Sequence, residues 1–218
     1  MSTRPQASGG RVLGRSVPRL EDRPLVRGQG QFVGDIAFPH QLHMRVVRSP
    51  YAHALLRSVD VAAALAAPGV VSVWTAADIA DLPPIDFRDP ANEALRPYRQ
   101  PLLARDKLRY VGEPVAAVFA TDAYLAEDAA DLVAIEAEEL SPVLDAAAPP
   151  SSFAPGLTTE ALVMREGYGE VDAAFASAYV IVALDLEIGR HSGVPLETRG
   201  ALARYDSSRD VLELYGAA

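Results

Sequence analysis

Apolar and polar residues alternate along HMRVVRS (43–49), the period-two pattern of a strand. Asp60 then stands as an N-cap ahead of VAAALAA, a short helix that Pro68-Gly69 ends. VVSVW (70–74) reads as a second strand. Thr75 caps a further turn, with Asp78 at the third position as in a capping box. Residues 81–105 mix proline with charges of both signs and read as a long loop. PVAAVFAT (114–121) is a near-continuous apolar run, the mark of a central buried strand. Asp122 opens AYLAEDAADLV, where Tyr124, Leu125, Ala129 and Leu132 fall on one helical face. VAIEAEEL (133–140) alternates as a half-buried strand should. The order is β-α-β, loop, β-α-β, which predicts a compact α+β domain over about residues 28–146.

The two ends of the chain are less regular. Residues 1–10 are small and polar and read as a disordered tail. Residues 11–39 are rich in Arg, Gly and Pro and predict an extended arm or a set of loops. Gly28-Gln29-Gly30 has no third glycine at the right spacing, no strand before it and no helix after it, so it does not make a dinucleotide loop. DAAAPPSSFAPG (145–156) is a linker by composition. Beyond it, Val171–Phe175 suggests a short helix and YVIVALDLEIG (179–189) a long strand. ALARYD (201–206) and VLELYG (211–216) read as two more strands, joined by a hairpin loop at 207–210. Three strands with almost no helix, ending on an uncovered edge, read as the beginning of a domain whose remainder lies elsewhere.

Composition narrows the classes. The chain is 50% hydrophobic and 22% charged, an ordinary globular balance, with a net charge of -9. That acidity argues against nucleic acid and against an anionic membrane surface as partners. There are no cysteines, which excludes disulfides and any thiolate-held zinc or iron–sulfur cluster on this chain. The opening MSTRPQASGG has no apolar signal region and no twin arginine, and no window approaches a membrane span, so a cytoplasmic location is expected.

Little on the chain has the form of a reaction centre. His40 and His43 flank a turn with no evident third metal ligand, and no serine sits in a G-x-S-x-G elbow. Glu127, Asp128 and Asp131 are accounted for by a solvated helix face. Glu113, in YVGEPVAAV (110–118), either bonds nearby backbone amides at a strand-entry turn or lines an access funnel. RHSGVPLETRGALARYD (190–206) concentrates Arg190, Arg199 and Arg204 with His191, Glu197 and Asp206 between two strand-like runs. Glu197 and Arg199 would share one face of a strand. There they either pair with neighbouring charges in a strand–turn–strand, or are clamped beneath a buried cofactor or seal an interface to the rest of the domain.

Several of these stretches resemble a known family in the right order. GRSVPRLEDRPLVRGQGQFVGDI is similar to the opening of the molybdenum-containing subunit of the xanthine dehydrogenase, aldehyde oxidase and carbon monoxide dehydrogenase family. VRSPYAHALLRSVDVAAALAAPGVVSVWTAADI and LRYVGEPVAAVFATDAYLAEDAADLVAIEAEELSPVLDAA resemble its α/β-hammerhead domain. GEVDAAFASAYVIV and RHSGVPLETRGALARYDSSRDVLELYGA resemble the first strands of its molybdopterin-binding domain. The resemblance, over about residues 12–218, implies a tail and arm at 1–27, a hammerhead at 28–146, a linker at 147–156 and an incomplete molybdopterin-binding domain at 157–218.

It further implies a molybdopterin-dependent oxidoreductase that hydroxylates an aldehyde or an aromatic nitrogen heterocycle with oxygen from water. The molybdenum–molybdopterin would be bound mainly outside this chain. The expected partners are the remainder of the molybdopterin-binding subunit on the same or a separate chain, an iron–sulfur small subunit carrying [2Fe–2S] clusters, and a FAD medium subunit. The family's glutamine beside the molybdenum, its glycine-rich pterin loop and its glutamate base all fall beyond VLELYG. No catalytic, cofactor-binding or metal-binding residue is therefore assigned here, and Glu197 and Arg199 stand as scaffold beneath the active site. The alternative is a non-catalytic hammerhead scaffold or assembly protein; an independent small hydrolase lacks the residues for it. The chain by itself is expected to be inactive.

Overall fold

A computed structural model describes residues 13–87, 92–189, 192–195 and 197–216. The tail predicted at 1–10 lies outside them, as do Arg190 and His191. The described residues form two compact units. One joins the chain up to Pro39 with the chain from Leu186 onward, and the other spans His40–Asp185.

The His40–Asp185 unit holds the buried core. Strands β1 (His43–Arg48), β3 (Val70–Trp74) and β5 (Pro114–Ala120) form one antiparallel sheet in the order β1-β5-β3. Strands β2 (Ala54–Asp60), β4 (Lys107–Leu108) and β6 (Ala134–Glu139) form a second, in the order β4-β2-β6. The first expected β-α-β, from 43–49 to 70–74, begins and ends in one sheet because the pattern missed β2, and each helix crosses from one sheet to the other. Helix α2 (Ala62–Leu65) carries the chain from β2 to β3, and α3 (Ala123–Ala130) carries it from β5 to β6. The crossovers therefore build two antiparallel sheets over a shared core, with no parallel pair among them.

The apolar run at 114–121 is explained by its place between two clusters. Ala116 and Val118 pack with Val47, Val73, Ala64 and Ala129 beneath the helices. Val115 packs on the other side with Ala54, Ala104 and Leu108. A strand apolar on both faces loses the polar alternation that exposed strands keep. Val59 and Ile135, from β2 and β6, pack against both clusters.

Helix α3 shows where the periodicity misleads. The Asp122 carboxylate accepts from the amides of Tyr124 and Leu125, as an N-cap should. Yet its buried residues are Ala126 and Ala129, whereas Tyr124 is 78% exposed and Leu132 is also exposed. Of the predicted face Ala129 is buried and Leu125 half-buried, while Tyr124 and Leu132 lie outside it, so the sheet meets the helix chiefly at small residues. On the same helix Glu127 accepts from Arg45 of β1 at 2.9 Å, and Asp128 and Asp131 are exposed, so this acidic face is solvated.

The entry to β5 is fixed by Glu113. This side chain is 1% exposed. One carboxylate oxygen accepts from the Arg109 amide, and the other accepts from the Arg109 guanidinium at 3.0 Å. Gly112, at φ 93°, makes the turn, donating to the Ser49 carbonyl at 2.8 Å. Ser49 in turn donates its amide to the Glu113 carbonyl at 2.9 Å. Glu113 is thus a buried anchor of the strand-entry turn, and its carboxylate opens into no funnel.

Elsewhere the loop read at 81–105 contains a 3-10 turn at Glu93–Tyr98 and a bridge between Ile85 and Gln100. The segment read as a linker, ending at 156, contains β7 (Ser152–Ala154), which pairs with β8 (Leu157–Thr158) just beyond it, and α4 (Val171–Ser177) follows. The strand expected at 179–189 is not formed. Its apolar residues Tyr179, Val180, Ile181, Val182, Leu184, Leu186 and Ile188 are all exposed, and no described strand pairs with the segment. Alternation marks a segment able to be a strand, but a strand exists only where a partner completes its hydrogen bonds.

Two substitutions test this core. Gly69 sits at φ 76°, where an added Cβ would lie 2.5 Å from the Leu125 methyl and 3.0 Å from the Thr121 hydroxyl. Gly69→Ala should cost about 1–2 kcal/mol, chiefly from the left-handed backbone, measured as a shift in the urea midpoint. Glu113→Ala removes a buried acceptor from both Arg109 donors, and should cost about 2–4 kcal/mol in the same measurement. A change within ~0.5 kcal/mol, as at an ordinary surface site, would show that Glu113 does not anchor the turn.

Candidate functional site

The charged stretch raised by the sequence lies in the unit formed by the two chain ends. Strands β9 (Ala201–Asp206) and β10 (Val211–Gly216) pair as the predicted antiparallel hairpin. Asp206 closes its loop. One carboxylate oxygen accepts from the Ser208 amide at 2.9 Å and the Ser208 hydroxyl at 2.6 Å, and the other accepts from Arg209 Nε at 2.6 Å. Asp210 takes φ 53° to complete the turn. The hydrogen bond from Ser208, followed by that from Arg209, holds the Asp206 carboxyl at a pKa of about 2.

One hairpin face then carries a continuous charge network. Arg204 and Glu213 are direct cross-strand partners, and Arg204 Nε donates to Glu213 at 2.9 Å. Arg209 Nη2 donates to the other Glu213 oxygen. These bonds, the one from Arg209 first, keep the Glu213 carboxyl below its ordinary range. Tyr205 donates its hydroxyl to Asp210 at 2.7 Å, which raises the phenol above its usual value.

The N-terminal arm supplies the other half of this unit. Helix α1 (Asp22–Val26) and a 3-10 turn at Val33–Asp35 lead to Phe38. The Phe38 ring lies 5.5 Å from that of Tyr215, and the Arg204 guanidinium sits over it at 4.8 Å. The Val33 amide donates to Glu197 Oε1 at 3.2 Å. Gly200 lies close enough that a Cβ there would touch the Val33 side chain at 3.4 Å.

Glu197 is thus half-buried against the arm, while Arg199 is exposed and makes no hydrogen bond or ion pair among the described residues. The strand begins only at Ala201, so period-two alternation does not govern their directions. The structure brings together Arg204, Asp206, Arg209 and Glu213 instead. Of these, Arg209 and Glu213 escaped the sequence reading. The signal was available in the antiparallel register, which sets Glu213 opposite Arg204 once the turn is placed at 207–210.

Among the described residues this donor set forms no enclosed cradle. No described residue of this unit is fully buried, while an enclosed site needs walls shielded from water. The arm amide already donates to Glu197, and Arg199 is exposed with no hydrogen bond or ion pair among the described residues. Elsewhere His40 is exposed at φ 60° and His53 donates Nδ1–H to the Ser141 carbonyl at 2.9 Å. Among the described residues no three His, Asp or Glu side chains converge as metal ligands, and no helix is long and apolar enough to cross a membrane.

Comparison with known proteins extends beyond the geometry. Residues 27–141 match the family "aldehyde oxidase and xanthine dehydrogenase, a/b hammerhead domain", and residues 155–218 match the "molybdopterin cofactor-binding domain". The chain is 41% identical over 211 residues to the 6-hydroxypseudooxynicotine dehydrogenase complex subunit gamma of Paenarthrobacter nicotinovorans, covering 94% of this chain and 27% of that protein. It is 33% identical over 213 residues to the carbon monoxide dehydrogenase large chain of Hydrogenophaga pseudoflava, covering 89% of this chain and 26% of that one. Among solved structures it is similar to quinoline 2-oxidoreductase from Pseudomonas putida 86, with a TM-score of 0.69 and 34% identity over 95% of this chain and 27% of that one. The chain spans about a quarter of the length of the relatives it matches.

The hairpin network predicts a pH dependence. The Asp206 carboxyl is held below its ordinary value of 3.8, so its contribution to hairpin order is fully present above that pH and is lost as the pH falls through about 2. Carboxyl carbon shifts followed by NMR should titrate Asp206 near 2, and Ser208→Ala should move that midpoint upward. A midpoint at the ordinary value in the parent protein would show that the Ser208 and Arg209 bonds do not form.

Proposed function

The chain belongs to the aldehyde oxidase and xanthine dehydrogenase hammerhead-domain family, and on that premise we propose that it forms part of the large subunit of a molybdenum hydroxylase. The observation that carries this reading is the succession of two matches in order along one chain, at 27–141 and then 155–218. In the proposed division, residues 28–146 are the hammerhead and residues 157–218 open the molybdopterin-binding domain. Residues 1–27 are the tail and arm, and 147–156 are the linker.

When bound, the molybdenum–pterin group supplies oxidative hydroxylation, in which a C–H carbon gains a hydroxyl from water and releases two electrons and two protons. None of these steps belongs to a residue of this chain. Its part is to hold shape around the site, with Glu197 fastening the arm and Arg204, Asp206, Arg209 and Glu213 fixing the hairpin. The molybdenum–molybdopterin is held mainly by sequence beyond the described residues. A [2Fe–2S] small subunit and a FAD medium subunit carry the electrons onward, in the cytoplasm.

An aromatic nitrogen heterocycle is the favoured substrate class. The relatives at 41% identity are named for nicotine or a nicotine-derived compound, and a similar solved structure is a quinoline oxidoreductase.

Native mass spectrometry of the protein purified from its own source, with molybdenum and iron quantified on the same sample, tests the proposal. A heteromeric complex containing both metals is expected, and removal of the other chains should leave this one free of stoichiometric molybdenum and inactive. A metal-free species at native expression would overturn the hydroxylase reading and favour a non-catalytic hammerhead scaffold. Stoichiometric molybdenum on the separated chain would overturn the supporting role given to its residues.

A further inference from the structure

The His40–Asp185 unit carries a groove of about 430 Å³, within the range of small-molecule sites. Its lining combines apolar residues, among them Leu82 and Leu102, with four arginines, Arg96, Arg99, Arg105 and Arg109. We propose that this groove binds a small organic oxyanion, a carboxylate or phosphate monoester carried on an apolar body.

Four arginines converge here on a chain whose net charge is -9. Three of them are held by acids that are not part of the lining. Asp86 accepts from Arg99 Nε at 2.8 Å, Glu93 pairs with Arg96 at 3.1 Å, and buried Glu113 accepts from Arg109 at 3.0 Å. Such pairing fixes each guanidinium in place before any ligand arrives, which lowers the ordering cost of binding. Among the described lining residues Asp106 is the single carboxylate, 4.0 Å from Arg109.

Arg105 is different. Its hydrogen bond goes to the Ala80 carbonyl at 3.2 Å, and among the described residues no carboxylate pairs with it. A carbonyl orients a guanidinium but leaves its charge unneutralised. The remaining donors form the planar fork that matches two oxygens of a carboxylate or phosphate. Leu82 and Leu102 are exposed beside it and gain from an apolar cover. A bare inorganic anion would leave these leucines wet, and a neutral apolar molecule would leave Arg105 unmatched. The site needs no cofactor and no partner, so its failure would leave the proposed function of the chain intact.

Isothermal titration of the full chain with phenyl phosphate and with benzoate tests the proposal, with inorganic phosphate and benzyl alcohol as the separate halves. Saturable binding of at least one two-part probe is expected, roughly tenfold or more tighter than either half, and weaker as salt is raised from about 0.05 to 0.5 M. Arg105→Ala should weaken it by about tenfold or more, with the thermal midpoint unchanged. Arg96→Ala, at an exposed position, should act in the same direction and decides the matter should Arg105→Ala fail to fold. No saturable binding of either probe, equal binding by both variants, or inorganic phosphate as tight as phenyl phosphate would overturn the proposal.

Discussion

A buried carboxylate fixes where the central strand begins. Glu113 cannot sit at 1% exposure unless its charge is met, and Arg109 meets it twice, through its amide and its guanidinium. Because the two residues are four apart, the bonds also close the turn that feeds β5. From that fixed start, Val115 enters one apolar cluster while Ala116 and Val118 enter the other. A slip of one residue would exchange these faces and bring the acid into the strand. Arg109 also lines the groove, so the residue that meets the buried acid belongs both to the strand-entry turn and to a candidate binding surface.

The two units use different physics. In the His40–Asp185 unit, small residues on β5, α2 and α3 let the sheets and helices approach closely, and burial provides the stability. In the unit made from the chain ends, no described residue is fully buried and order comes from directional bonds. Asp206 ties the hairpin loop, Glu213 gathers two arginines, and Phe38 lies against Tyr215 and under Arg204. Exposed ion pairs contribute little each, so such a network defines geometry better than it stabilises. Abundant charge between strand-like runs is what a segment needs when shape must be set without a core.

How much of this was legible follows from which interactions are local. Strands 43–48, 70–74, 114–120 and 134–139 were readable because burial imprints a period on the sequence itself, and Asp122 and Asp60 marked helix starts because capping acts within three residues. The α+β class followed from that pattern, whereas the hammerhead family was read from the resemblance of whole stretches of sequence. The buried face of α3 was only partly readable, through Ala129 and Leu125. Tyr124 and Leu132 have the hydrophobicity of core residues, but the approach of the sheet selects Ala126 and Ala129, a fact of tertiary spacing. Strand β4 is two residues long and leaves no period at all. Glu197 and Arg199 were paired by an alternation that needed the strand to start four residues earlier than Ala201, whereas the Val33 amide, far away in sequence, is what engages Glu197.

The segment at 179–189 shows the limit of sequence pattern most clearly. It alternates over its second half and carries Val180, Ile181 and Val182, residues of high strand propensity, yet these apolar residues are exposed and no described strand includes them. Propensity states what a segment can become, and pairing requires a second edge. An apolar segment of this length left uncovered is an aggregation hazard that natural proteins avoid. The same holds for Leu212 and Leu214 on the hairpin, exposed on β10 beside an otherwise well-bonded charge network. A chain with one finished core and one unit ordered mainly by polar bonds has the physical character of a part within a larger assembly. That is the setting in which a supporting role, with the reacting group held elsewhere, is chemically coherent.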